Sequence, residues 1–274
     1  MAESRRVRPE TPLQRAIAVG VLLYLGAVLV VPLLALAWTA ARQAGKVVEG
    51  LSQPDAMHAL RMSAILAVIA VVVNGTVGVV GGLVLARQRF FGRRVLDSLV
   101  DLPMALSPVM IGLAFIALVG RGGWLAPMLD AAGVSVLFNF PGLVVGTVFV
   151  TIPFTVREIV LVLDELGDSE EQAAATLGAT PWQTFWRVTM PNLRGALEIG
   201  VTLTLARSLG EFGAVLVLGG AISQKTQTAT TFIHAAMEER QQPAAYGMAL
   251  ILAAISIALL AFLRSRRRAH GQES

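Results

Sequence analysis

The sequence predicts an all-α membrane protein: six transmembrane helices, both termini cytoplasmic, and a helical cytoplasmic loop between helices four and five. Three observations carry this. Of 274 residues, 55% are hydrophobic and only 15% charged, whereas a soluble domain carries about 25% charged residues. The mean hydropathy is +0.69. The apolar residues also collect into six stretches of roughly 20 residues, the length a helix needs to cross the hydrocarbon core.

In order, these stretches are residues 16–38, 59–86, 95–119, 141–163, 192–219 and 244–263. They divide the chain into an N-terminal tail (1–15), a membrane domain (16–263) and a basic C-terminal tail (264–274). The first stretch ends in Ala35-Leu36-Ala37, which has the form of a signal cleavage site. Its apolar run exceeds the roughly 7–15 residues of a signal core, so it reads as an uncleaved span. In the third stretch, Pro103 and Pro108 predict a kinked or irregular start. Gly78 with Gly82, and Gly142 with Gly146, are four apart and place two glycines on one helix face, where helices approach closely. Asn74 and Thr76, within the second span, read as hydrogen-bonding groups between helices.

Orientation follows from the basic residues. Fifteen of the 22 fall on one side, in both tails and the loops after spans two and four, with Arg157 counted in the latter loop. Six fall on the other side, and Arg207 lies within span five. Cytoplasmic loops carry the Lys and Arg excess, so both termini are expected inside, which requires an even number of spans. Trp182 is then cytoplasmic, while Ala131 and Gln227 are outside. The net charge of +4 is the signature of such loops rather than of a nucleic-acid partner.

Several chemistries are excluded. Without cysteine there is no disulfide, thiolate or Cys-zinc site. His58, His234 and His270 are too scattered for a His-rich metal centre. No G-x-x-x-x-G-K-[ST] phosphate loop occurs, so ATP is not bound in that way. No cofactor is expected on this chain, and membrane lipid surrounds it.

Loop 167–191 is too polar to span. Asp168 and Glu171 have capping-box spacing, which predicts a helix starting near Ser169. Ala173, Ala174 and Leu177 share one face of it, and Gly178 suits the left-handed residue after its end. Thr180-Pro181 restarts the chain as cap and first helical residue. Trp182, Phe185 and Trp186 follow as an aromatic stripe on a second short helix, and Pro191 opens span five.

Gln172-Ala173-Ala174, then Gly178, then Val188-Thr189-Met190-Pro191 resembles the EAA loop of ABC importer permeases. The spacing fits that pattern, with Gln172 at the position of the family's glutamate and Glu171 one place early. Four longer stretches resemble the sulfate/thiosulfate permeases, in particular their W-type subunits. They are Asp101-Leu102-Pro103 with Leu106-Ser107-Pro108-Val109, then 149–158, 182–192 and 206–215. The last of these is shared with molybdate and tungstate permeases. The resemblance implies docking of an ATPase at Gln172, Ala173, Ala174, Gly178 and Pro191. It also implies three kinds of partner: a T-type permease, two ATP-binding subunits holding ATP and Mg, and a periplasmic sulfate-binding protein. Alternatives are a molybdate/tungstate ABC permease or an ion-coupled anion transporter acting alone.

Arg207 and Glu211 carry charge into an apolar span, which costs at least about 2.5–3.5 kcal/mol at the bilayer centre. At i and i+4 on one helix they can neutralise each other. Alternatively, Arg207 lines an oxyanion path with Ser107, since a guanidinium matches a tetrahedral oxyanion. The two roles are compatible.

Overall fold

The computed structural model describes residues 12–270. Residues 1–11 and 271–274, and with them most of the expected N-terminal tail, lie outside the described residues. The described residues form thirteen α-helices and no strand. The helices are α1 (Pro12–Arg42), α2 (Ala44–Leu51), α3 (Pro54–Arg87), α4 (Arg93–Ala105), α5 (Pro108–Val119), α6 (Ala126–Ala131) and α7 (Phe140–Leu166). There follow α8 (Ser169–Thr176), α9 (Pro181–Thr184), a π-helical turn Phe185–Thr189, α10 (Met190–Leu209), α11 (Gly213–Gly219), α12 (Ala229–Glu238) and α13 (Gln242–His270).

Four helices are long and apolar enough to cross a membrane, within α1, α3, α7 and α13. The number reaches six if each of two bent pairs is one span. The first pair, α4 with α5, turns by 117°. This is the irregularity expected from the prolines: Pro108 disfavours helix at Ser107, and Leu106 and Ser107 are extended at ψ 147 and 137. The second pair turns by 57° between Leu209 and Gly213. Here the expectation of one continuous helix over 192–219 is corrected. The C-terminal tail is also helical as far as His270.

The centre is a three-helix packing of α3, α7 and α10. A Cβ on Gly78 would lie 2.5 Å from Thr155 Cγ2, and one on Gly82 would lie 2.4 Å from Ile159 Cγ2. A Cβ on Gly200 of α10 would lie 2.8 Å from Thr155 Cα. In lipid, helices associate by such close backbone approach and by hydrogen bonds between them. Asn74 Nδ2 donates to Thr151 Oγ1 at 2.7 Å and to Val148 O at 3.2 Å, and the Thr155 and Thr204 hydroxyls are 3.0 Å apart. The expectation for Thr76 is corrected: it is exposed and donates to Val72 O of its own helix at 2.9 Å. Gly146 faces Leu218 of α11 in the same manner, whereas Gly142 lies tightest against Val136 O in the loop before α7, with Leu218 O next at 3.4 Å. A second cluster, with Ala59, Phe232, Ala245 and Met248, binds α3, α12 and α13 together. Along α1 the apolar side chains, Leu22, Leu23 and Leu29 among them, are exposed.

Two placements differ from the sequence reading. Gln227 is only 5% exposed, so the accessible part of its loop is Ile222–Lys225. Arg157 is inside α7 rather than in a loop, and grips two carboxylates of α4. Its Nη1 is 2.6 Å from Asp97 Oδ1 and its Nε 2.6 Å from Asp101 Oδ1. The sequence signal was there in Asp97 and Asp101, one turn apart on α4, but their partner is 56 residues or more away.

Candidate functional site

Loop 167–191 is built from two capped helices. α7 stops at Gly167, whose φ of 65 no β-branched residue adopts easily. α8 begins at Ser169 as expected, but its predicted capping box does not form: Asp168 makes no side-chain cap. Glu171 is engaged elsewhere. Its Oε2 is 3.0 Å from Arg87 Nε, and its Oε1 accepts from Thr189 Oγ1 at 2.8 Å.

The far end of α8 follows the sequence closely. Gly178 has φ +84. Its N–H donates to Ala175 O at 3.0 Å, and the N–H of Ala179 donates to Ala174 O at 3.0 Å. This is a Schellman motif, which satisfies the last carbonyls of the helix. Thr180 then caps α9, with Gln183 N–H donating to Thr180 Oγ1 and Thr180 N–H to Gln183 Oε1.

The second helix is not a separate short one. It passes through the π turn, where Met190 N–H reaches back to Phe185 O, directly into α10. Pro191 accounts for this. It has no N–H for the Arg187 carbonyl, and its ring crowds that carbonyl, so the backbone widens just before it. Trp182, Phe185 and Trp186 form the expected stripe, with rings 5.1–6.3 Å apart. Trp182 stays 69% exposed and Leu177 89% exposed. Gln172 and Ala173 are exposed beside them, while Ala174 is half-buried. The predicted apolar face of α8 is thus an outward face.

The charged pair occupies the break between α10 and α11. Arg207 Nη1 is 2.7 Å from Glu211 Oε2, with side chains 32% and 1% exposed. The pair forms as expected, but not along one helix face, because Glu211 lies beyond the end of α10. Its Oε1 accepts from Ala214 N–H at 2.9 Å, in the first turn of α11. Its backbone carbonyl accepts from Thr230 Oγ1 at 2.6 Å. Glu211 is therefore an anionic cap on the start of one helix, and Arg207 is a cation at the end of the other; both placements suit the helix dipoles.

Ser107 is exposed and makes no side-chain cap at the break between α4 and α5. The two breaks meet. A Cβ on Gly213 would lie 3.0 Å from Pro108 Cβ and 3.1 Å from Val109 N. No hydrogen bond joins Ser107 to Arg207 among the described residues. No group of three or more His, Asp or Glu among them could hold a metal ion. The bonds of Arg87, like those of Arg157, are ones the sequence reading missed, both residues being counted there only as loop charges.

A family model described as "Binding-protein-dependent transport system inner membrane component" matches residues 78–269. The sulfate transport system permease protein CysW of Synechococcus elongatus is 40% identical over 240 residues, covering 87% of this chain and 84% of that one. The sulfate transport system permease protein CysT of Escherichia coli is 38% identical over 258 residues, covering 94% and 92%. A chain of the bacterial alginate ABC transporter, solved in complex with an alginate-bound periplasmic protein, has the same fold: TM-score 0.78, 16% identity, 94% of each chain. This chain therefore belongs to the inner-membrane permease family of binding-protein-dependent transport systems, together with the sulfate transport system permeases.

Proposed function

We propose that this chain is the W-type permease subunit of an ATP-driven sulfate/thiosulfate importer and forms half of its translocation path. The observation that carries the reading is the likeness to CysW over most of the chain. The loop geometry supports the coupling role: Gln172, Ala173 and Gly178 lie on an exposed, rigidly capped surface that an ATPase groove can grip. Each bent pair then counts as one span, giving six with both termini cytoplasmic, in a permease domain of residues 16–263 flanked by short tails. The exposed apolar sides, α1 included, face lipid.

Sulfate is a dianion, and an inside-negative potential opposes its entry by about 4.6 kcal/mol per 100 mV. ATP supplies the drive, bound with Mg on two partner ATP-binding subunits. A T-type permease forms the other half of the path, which the CysT likeness supports. A periplasmic sulfate-binding protein delivers the anion. Arg207, partly exposed at the end of α10, attracts the oxyanion, and Ser107 lines the same path. Glu211 keeps that attraction from becoming a trap.

The test is uptake of labelled sulfate by cells carrying the full complex, with competitors. Thiosulfate should compete and uptake should stop without the ATPase. Preferential competition by molybdate would make this a molybdate/tungstate permease. Uptake that persists without the ATPase and follows an ion gradient would make it a stand-alone anion transporter.

Topology has its own check. In a chain without cysteine, Ala131→Cys and Ser223→Cys should react with an impermeant thiol reagent from outside, and Trp182→Cys should not. Gln227→Cys should stay silent from either side because it is buried. Labelling of Trp182→Cys from outside would reverse the orientation.

Gly178→Val tests the docking surface. No atom lies within 4 Å of where its Cβ would sit, so the cost comes from the φ of +84 alone, about 1–2 kcal/mol for a left-handed residue. The loop should distort locally, with the protein still in the membrane. ATPase co-purification and uptake should fall together, and Gly178→Asn should be milder. Normal co-purification with Gly178→Val would remove Gly178 from the interface.

A further inference from the structure

We propose that Arg87, Glu171 and Thr189 form a clasp that makes the loop one rigid unit with the ends of α3, α7 and α10, and that transport per ATP depends on it. The inference rests on the coupling role proposed for loop 167–191.

The clasp ties α8 to three long helices through one carboxylate. Arg87 is the last residue of α3. Its Nε binds Glu171 Oε2 at 3.0 Å, its Nη1 donates to Leu163 O at 3.0 Å, and its Nη2 donates to Gly167 O. The last two acceptors are carbonyls at the C-terminal end of α7, which has no intrahelical partners left for them. A guanidinium fits this place because its planar fork reaches acceptors on both elements at once and its charge suits a helix C-terminus. The other oxygen of Glu171 takes the Thr189 hydroxyl at the entrance to α10. One turn further on, Asn192 Nδ2 donates to Glu170 Oε2 at 2.6 Å.

These groups close around a gap of about 10 Å³, room for about one water. Arg87 and Glu171 are 22% and 24% exposed, so solvent and salt screen the pair less than an open surface pair. The opposite side of α8 carries Gln172, Ala173 and Leu177 to the outside. Neighbouring residues thus divide the work: Glu171 holds the loop to the membrane helices, and Gln172 faces outward. A loop pulled by its outer face would move α3, α7 and α10 with it. Without the clasp, only the exposed Asn192–Glu170 bond and the covalent links through Gly167 and the π turn would carry the pull, and both links are places where the backbone departs from helix.

The test uses the full complex of both permeases, ATPase and binding protein in proteoliposomes, reading labelled sulfate imported per ATP hydrolysed. In Arg87→Gln the ATPase should remain bound and active while sulfate per ATP falls about tenfold, within the range of coupling energies between sites. Arg87→Lys should be intermediate, since it keeps the charge and loses the fork. Glu171→Gln, which keeps an acceptor for Thr189, should lower the ratio too. Adding it to Arg87→Gln should cause little further loss, because both act on one contact. An unchanged ratio in Arg87→Gln with the complex intact would overturn the clasp. So would failure of both Arg87→Gln and Glu171→Gln to assemble, which would make the pair a fold element only. If the unaltered permease pair does not hold the ATPase, the coupling role itself fails instead.

Discussion

Replacing Glu211 by leucine is expected to cost the protein its assembled state, whereas Glu211→Gln keeps it. Leucine removes two things at once. Ala214 N–H loses its acceptor in a buried place, at about 1–3 kcal/mol for an unsatisfied group. Arg207 loses its partner, and breaking a buried pair costs about 3–5 kcal/mol. Arg207 is 32% exposed, which places this second loss at the low end. Glutamine keeps an oxygen for Ala214 and gives up only the charge. The sequence alone suggests that Arg207→Leu with Glu211→Leu would be tolerated, because a matched apolar pair can replace a buried ion pair. The geometry corrects this: the double leucine still strands the Ala214 N–H. The informative background is therefore Arg207→Leu with Glu211→Gln, which removes both charges and keeps the cap. Yield and melting in detergent should stay near those of the unaltered chain while sulfate uptake at matched expression is lost. Arg207→Lys should retain part of the uptake. Near-normal uptake in the Leu/Gln variant would leave the pair purely structural.

Gly82→Ala is expected to destabilise the helix core by about 1–3 kcal/mol, the usual range for overpacking. The new Cβ would lie 2.4 Å from Ile159 Cγ2 and 2.8 Å from Ile159 Cβ, and the second of these cannot rotate away. Gly195→Ala is the control. It also lies inside a helix, but no atom comes within 4 Å of its Cβ, so the same change should stabilise it by about 0.5–1 kcal/mol through backbone entropy. Thermal melting of the two variants side by side separates packing from helix propensity. Equal melting temperatures would mean that α3 and α7 do not pack through Gly82.

Gly78 with Gly82, and Gly142 with Gly146, illustrate what patterning conveys. Their spacing named the faces where helices meet, because only a residue without a side chain lets two backbones so close. Gly178 and Thr180-Pro181 were equally legible, since the left-handed turn and the helix start are chosen by local chemistry within a few residues. The break before Pro108 was announced by the proline itself. The break after Leu209 was not. Gly210 and Gly213 are unremarkable in an apolar span, and the break is held by Glu211 bonding forward to Ala214 and by Thr230 bonding back across 19 residues.

The charged residues divide in the same way. Asp168 and Glu171 have the spacing of a capping box, and an isolated peptide has no competing partner for that carboxylate. In the folded chain α3 brings Arg87 to it from 84 residues away, and a charged pair outbids a single backbone N–H. Asp97, Asp101 and Arg157 tell the same story from the other side of α7. The sequence by itself determined where the chain is apolar, the helix ends set by local glycine, proline and capping chemistry at Pro108, Gly178 and Thr180, and the family that its motifs resemble. The tertiary structure alone decided the partners of Arg87, Glu171 and Arg157, and where the helix over 192–219 breaks. Period and capping are local properties of a few residues, whereas a carboxylate away from water pairs with whatever donor the packing brings within 3 Å.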